Sequence, residues 1–276
     1  VISKNIFLKD SVAPSISGIK HQNNIDTWVS VLEYRRNKIL NYQVNSCEIK
    51  APIVNTIPNF EYKENPLYMP YSPLSYTGFQ LVYSTKGDFC AFSGNKISDN
   101  ASISSIPFYV FVAPFDNQTG LFNFSTLKII ETRSGINAHL FSHDSKYLYY
   151  NDIYLFSFVW MYQYELSTGI SIPLYYNNIP PNNAFSGTDY GRDNTILIYK
   201  YRVSTQNGSN KHVTYLGAIK HIDQPFVSGN LIDSLSVPDM EQPDDVPIYT
   251  YIARNNYIYN FYHPDYKKPT AFSVAK

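Results

Sequence analysis

The chain has 276 residues, 22 Lys+Arg against 22 Asp+Glu for a formal charge of zero, and 44% hydrophobic residues. That length buries a substantial core, and that hydrophobic content is globular rather than disordered. The charge balance lacks the basic excess that neutralises phosphates and gives no net field toward anionic lipid, so no nucleic-acid partner is expected. No run reaches the ~18 apolar residues of a helical membrane span; the densest, Ile153–Tyr164, is broken by Ser157 and Gln163. The chain carries 26 Tyr, 17 Phe and 17 Pro but only 16% charged residues. Aromatic residues suit half-buried pleated surfaces and proline marks the loops between them, so sheet is the expected class.

Val1–Asp10 reads as a strand, followed by a loop at Ser11–Ser15 and a strand at Ile16–His21. A turn at Gln22–Asp26 leads to the strand Thr27–Glu33. Arg35–Lys38 turns the chain into Ile39–Val44. Ala51–Ser72, with prolines 52, 58, 66 and 70 inside it and 73 just past it, reads as a long surface excursion. A second unit runs Gly78–Tyr83, turn Ser84–Asp88, strand Phe89–Phe92, a polar loop over 93–106 and strand Pro107–Pro114. A hairpin turn at Asp116–Gly120 then precedes the strand Leu121–Ile130. In the third unit, Ile136–Phe141 and Tyr147–Tyr150 flank the turn Ser142–Ser145. A break at Asn151-Asp152 separates them from a longer, bent strand, Ile153–Leu166. The fourth unit has Phe185–Tyr190, a turn Gly191–Asn194, Thr195–Arg202, a hairpin tip Gln206–Asn210 and His212–Ile219. Pro238–Pro247 is acidic and proline-rich, and a last strand pair, Ile248–Ala253 and Tyr257–Tyr262, flanks Arg254-Asn255-Asn256.

YSTKGDFCAF, FSHDSKYLYY and YGRDNTILIY align as an aromatic, a short polar turn and an apolar strand, about fifty residues apart. Antiparallel units recurring at that period predict an all-β fold, a β-propeller of four-stranded antiparallel blades, rather than a sandwich with its shorter strand spacing. The expected domain is 1–276, a single propeller or most of one, with about five blades' worth of strands. Cys47 and Cys90 are the only cysteines; Cys90, inside DFCAF, reads as a buried thiol acting as a small hydrophobe.

Particular residues carry a resemblance. KNIFL, SISGIKHQNNIDTWVSVLEY and ILNYQV, with Lys20, His21, Asp26, Trp28, Val29 and Tyr42 in the matching places, resemble the WD40-like propellers of bacterial surface proteins exported by type IX secretion, associated with gliding motility and adhesion. FSHDSKYLYY is similar to that family's Phe-Ser-Pro-Asp-Gly turn, with His143 and Ser145 departing from Pro and Gly. GRDNTILI resembles its Asp-Gly-Lys-Ile-Tyr element with Asn194 in place of Gly. LGAIKHIDQPFVSG resembles a late motif with Gln224 where Asn is usual. The resemblance covers 1–238. It implies an extracellular, cell-surface module without catalytic residues. It also implies that an N-terminal segment of about two blades, or a separate chain, completes the ring; the chain starts at Val1 without Met or signal-peptide pattern.

Candidate chemistry is sparse. His139, His143 and Asp144 have metal-ligand character, but on an extended strand the histidines stand roughly 13 Å apart, too far to share an ion that each must approach to about 2 Å. No metal and no cofactor is therefore expected. Asp239, Glu241, Asp244 and Asp245 offer oxygen ligands without EF-hand spacing. His21 with Asp26 reads as a structural hydrogen-bonded pair, and Trp28, Asp144 and Asp193 as structural residues of strand and turns. Phosphate loops and nucleophile elbows are absent. Tyrosine faces stack on sugar rings, and Tyr62, Tyr68, Tyr71, Tyr175 and Tyr176 are the candidate contacts. Three functions follow: a non-catalytic binding or adhesion module contacting a glycan or protein at the cell surface; a structural subunit of a surface or secretion-associated assembly; and a propeller hydrolase.

Overall fold

The computed structural model describes residues 9, 12–33, 37–58, 81–95, 108–132, 139–154, 158–176, 183–190, 194–206, 209–227 and 231–236. They form four antiparallel sheets. Blade 1 is β1 (Val12–Lys20), β2 (Thr27–Glu33), β3 (Lys38–Val44) and β4 (Ile53–Thr56) in consecutive order. Blade 2 is β5 (Leu81–Tyr83), β6 (Phe89–Asn95) and β7 (Phe108–Asp116), with both β8 (Leu121–Phe122) and β9 (Lys128–Thr132) paired to β7. Blade 3 is β10 (His139–Phe141), β11 (Tyr147–Tyr154), β12 (Phe158–Glu165) and β13 (Ser171–Tyr176). Blade 4 is β14 (Asn183–Tyr190), β15 (Thr195–Gln206), β16 (Ser209–Lys220) and β17 (Leu231–Ser236).

The first strand of each blade lies beside the first strand of the next, β1 by β5, β5 by β10 and β10 by β14. The side chains of blade 2 show what this does. Leu81, Tyr83, Cys90, Phe92, Phe111, Ala113 and Phe115 pack with Ile19, Trp28, Leu32 and Ile39 of blade 1. The alternate positions, Val82, Ala91, Val110, Val112 and Ile130, pack instead with Leu140, Phe141 and Leu148 of blade 3. Period-2 alternation therefore feeds two separate cores, one on each side of the sheet. Sheets stacked face to face around their first strands are the blades of a β-propeller. Each fully buried Leu, Ile or Phe at these seams contributes about 1.5–3 kcal/mol.

The turns between first and second strands form for local reasons. Ser84 Oγ accepts the Asp88 and Phe89 N–H groups and donates to Asp88 Oδ1. Ser142 repeats this with Lys146, Tyr147 and Asp144. The fourth residue of each turn is left-handed: Asn24 (φ 60), Gly87 (φ 70), Ser145 (φ 61) and Asn194 (φ 57).

The structure corrects several expected boundaries. The proline-rich excursion contains a fourth strand, β4, whose partner β3 is invisible to local patterning. Leu121–Ile130 is not one strand: a 3-10 turn at Phe124–Thr126, capped by Asn123, separates β8 from β9. Asn151-Asp152 is not a break, because β11 continues through it to Tyr154 and pairs Asn151 with Met161 and Asp152 with Trp160. The tip of Gln206–Asn210 is tighter than expected, since Gln206 pairs Ser209. The strands expected at Val1–Asp10, Ile248–Ala253 and Tyr257–Tyr262, and the acidic stretch with Asp239, Glu241, Asp244 and Asp245, lie outside the described residues, Lys9 apart.

Candidate functional site

An up-and-down blade divides its connections between two faces. The loops after the first and third strands emerge on one, the turn face; the loop after the second strand and the crossover to the next blade emerge on the other, the crossover face. Contacts between blades confirm the assignment. The loop after the third strand of blade 2, Asp116–Gly120, lies on the first turn of blade 1: Asn117 Nδ2 donates to Lys20 O, and His21 Nε2 bonds Gln118 O at 3.1 Å.

On the turn face the Asp116–Gly120 loop is spent on joining blades 1 and 2. Trp28 Nε1 donates to Asn117 O at 2.9 Å. Asn41 and Asn55 both donate to Gly120 O, at 2.7 and 3.1 Å, and Phe122 N donates to Asn55 Oδ1 at 2.9 Å. Behind them, Ser30 Oγ donates to Asn41 Oδ1 and sits 2.5 Å from the Tyr83 hydroxyl. Gly120 fits because nothing larger can: a Cβ there would lie 2.7 Å from the Trp28 ring.

The junction of blades 3 and 4 follows the same plan with different residues. Tyr149 Oη donates to Ile222 O at 2.9 Å, and Gln163 Nε2 donates to Tyr149 Oη at 2.6 Å and to Gln224 O at 2.8 Å. Phe226 N closes the loop onto Gln163 Oε1, Tyr190 Oη donates to Phe141 O, and Asp144 N donates to Asp223 Oδ1. Between blades 2 and 3, Lys128 Nζ donates to Leu166 O, again in a loop after a third strand. Burial pushes the Tyr83 and Tyr149 hydroxyls and the Cys90 thiol up, so all three stay neutral.

Trp28, His21 and the Asp144 backbone make bonds between blades, whereas Asp26 bonds within blade 1. Trp28 is 2% exposed and its indole N–H joins two blades. His21 and Asp26 are both buried, but their side chains do not form the expected pair. Asn23 N–H donates to His21 Nδ1, while Asp26 Oδ2 accepts from Asn23 Nδ2 and Gln43 Nε2; only the backbones of His21 and Asp26 bond. The turn brings Asn23 between them, which residue spacing alone does not reveal. Asp144 staples its own turn through Ser142, the Lys146 N–H and a 2.6 Å ion pair with Lys146 Nζ. Burial opposes ionisation of Asp144, and the bonds from Lys146 and Ser142 outweigh it, holding the carboxyl below the usual range. Asp193 lies outside the described residues.

His143 Nδ1 is 2.8 Å from Asn194 Oδ1, and its ring stacks on Tyr190. Among the described residues, no group of three or more His, Cys, Asp or Glu side chains stands close enough to hold a metal, and no helix is long and apolar enough to cross a membrane. Cys90 is buried and Cys47 exposed, both as free thiols.

The crossover face receives the other connections. The chain leaves β4 at Thr56 and returns at Leu81, so Tyr62, Tyr68 and Tyr71 belong to the crossover from blade 1 to blade 2, outside the described residues. Tyr175 and Tyr176 end β13, opposite Met161 and Trp160, where the chain departs toward β14. Sequence reading missed Asn41, Asn55, Gln163 and the Gly120 and Gln224 carbonyls; a polar residue amid buried strand positions was the only local signal for the first three.

No family model matches the chain, and no curated protein matches it. Among solved structures, the chain is similar to the β-propeller domain of the Trilobed protease from Pyrococcus furiosus (10% identity, 75% of this chain and 55% of that chain, TM-score 0.43). It is also similar to prolyl oligopeptidase B from Galerina marginata (12% identity, 80% and 30%, TM-score 0.43) and to TolB from Acinetobacter baumannii (13% identity, 83% and 43%, TM-score 0.38). The chain thus spans little more than half of any of these three, and as little as 30%. No role of these proteins carries over to this chain.

Proposed function

We propose that the chain is a non-catalytic extracellular β-propeller, a binding or adhesion module of a cell-surface protein, whose crossover face contacts a glycan or a protein. One observation carries the reading: the turn-face loop Asp116–Gly120 and the loop at Ile222–Phe226 are engaged in joining blades, while the candidate tyrosines fall in sequence where the chain passes from one blade to the next. A tyrosine ring stacks on a pyranose while its hydroxyl bonds outward. The cell-surface setting and type IX export rest on the resemblance of residues 1–238, above all the Lys20-His21, Asp26 and Trp28 motif.

The test is binding of the full chain to a glycan array and to extracts of cell-surface protein, beside the triple variant Tyr62→Ala, Tyr68→Ala, Tyr71→Ala and the double variant Tyr175→Ala, Tyr176→Ala. Loss of about tenfold or more in affinity, roughly 1.4 kcal/mol, with an unchanged melting temperature supports the reading. Binding insensitive to all five tyrosines refutes it. Turnover of peptide, ester or glycoside substrates would instead establish a propeller hydrolase. Exposed Val54, Ile129 and Ile172, one on the outer strand of each of blades 1 to 3, favour a second reading as a structural subunit of a larger assembly. Self-association in sedimentation that Val54→Asp or Ile129→Asp abolishes would establish it.

A further inference from the structure

We propose that His21 is a proton-sensitive latch between the first two blades, closed while the ring carries one proton and opened by a second. The argument starts from the tautomer. The Asn23 backbone N–H points at Nδ1 over 2.9 Å, so Nδ1 is the acceptor and carries no hydrogen. The single proton is therefore on Nε2, which donates across the junction to the Gln118 carbonyl. Both ring nitrogens are committed, and His21 is 8% exposed. A second proton has one place to go, Nδ1, where it meets the Asn23 N–H head-on. The ring must then turn or withdraw, and the Nε2 bond to blade 2 goes with it.

Apart from the Trp28 ring, the surroundings offer the cation little. The charged groups on the elements meeting there are Lys20 and Asp26 of blade 1 and Lys86, Asp88 and Asp116 of blade 2. Asp26 is already engaged by Asn23 and Gln43, Asp88 by Ser84, and Asp116 by Thr119 and the Gln118 N–H. Among the described residues none of these carboxylates forms an ion pair with His21. The Trp28 ring, its centroid 5.4 Å away, is the one face turned to it, and Trp28 itself holds Asn117 O, so a displaced imidazole disturbs the second bond of the junction too.

The junction of blades 3 and 4 supplies an internal control. There His143 Nδ1 faces an amide oxygen, Asn194 Oδ1, and donates to it. A doubly protonated His143 keeps that bond, because Nδ1 is already the donor there. Acid should loosen the first junction and spare the other.

Amide hydrogen exchange on the full chain, followed from neutral to mildly acidic pH and corrected for intrinsic rates, tests this. The amides read are Gly120 and Phe122 at the first junction and Phe226 at the other. Protection at Gly120 and Phe122 is expected to fall about tenfold, the worth of one net hydrogen bond, while Phe226 is unchanged. His21→Gln, which keeps a donor toward Gln118 and cannot be protonated, should remove the pH dependence. Flat protection in the native chain, a drop shared equally by Phe226, or a drop that persists in His21→Gln overturns the proposal. Should His21→Gln not fold, nitrogen NMR of the native imidazole decides: Nδ1 bare at neutral pH, gaining its proton as Gly120 loses protection, supports the latch, and a proton on Nδ1 at neutral pH defeats it.

Discussion

Replacing Ser145 by glycine should stabilise the protein, and the gain can be worked out from three terms. Ser145 holds a left-handed backbone, φ 61, in a turn where Gly87 occupies the equivalent place one blade earlier. For an L-residue that conformation costs about 1–2 kcal/mol, which glycine avoids. The Ser145 hydroxyl is also buried with no hydrogen-bond partner, a desolvation cost of about 1–3 kcal/mol that the substitution deletes. Against both stands the larger backbone freedom of glycine in the unfolded chain, about 0.5–1 kcal/mol. The balance is a stabilisation of about 2 kcal/mol, or a rise of about 4–8 °C in Tm for a chain of this size. Urea unfolding of the native chain, Ser145→Gly and Ser145→Ala separates the terms, since alanine removes the hydroxyl and keeps the backbone cost. Ser145→Ala should recover about 1 kcal/mol, the hydroxyl term alone. A Ser145→Gly protein no more stable than the native one would refute the reasoning, because the backbone and the hydroxyl together would then cost no more than the added freedom of glycine in the unfolded chain.

Gly120→Ala should destabilise by about 2–4 kcal/mol, since the added Cβ meets the Trp28 ring at 2.7–2.9 Å and the residue is left-handed; unchanged urea stability would show that the blade 2 loop does not rest on Trp28. Asn41→Ala, which removes one of the two partners of the Ser30 hydroxyl and of the Gly120 carbonyl, should cost about 1–3 kcal/mol in the same assay, the worth of two net hydrogen bonds. Tyr149→Phe should cost about 1 kcal/mol, with the exchange of the Phe226 amide rising and that of Gly120 untouched. Asp144, whose carboxyl is held below its usual value, stabilises the fold fully above about pH 4 and loses that contribution as pH falls through the lowered folded value. The urea midpoint of Asp144→Asn should accordingly fall less than that of the native chain between about pH 5 and 2.

The turns were legible in the chain because their causes are local. A serine hydroxyl caps two N–H groups four and five residues on, as at Ser84 and Ser142, and a Gly, Asn or Ser takes the left-handed place between them. Alternating aromatic strands such as Thr27–Glu33 were legible for the same reason: period 2 is a property of neighbours in sequence. The blade repeat followed from both. The fourth strand β4 was not legible, since Ile53–Thr56 is a strand only by pairing with β3, and neither were β8 and β9, which divide one partner strand between them.

The site shows the same boundary more sharply. Sequence placed His21, Asp26 and Trp28 in one turn and strand, yet it offered His21 the wrong partner, because Gln118 is 97 residues away and the Asn23 N–H reaches the ring only once the turn has closed. Which amide would meet which carbonyl, Asn41 with Gly120 and Gln163 with Gln224, depends on how far one sheet rotates over the next. Local chemistry thus determined the hairpins, their turns and their recurrence. The seams between blades were decided in three dimensions, where a polar group buried on one sheet must find its partner on another or lose the free energy of leaving water.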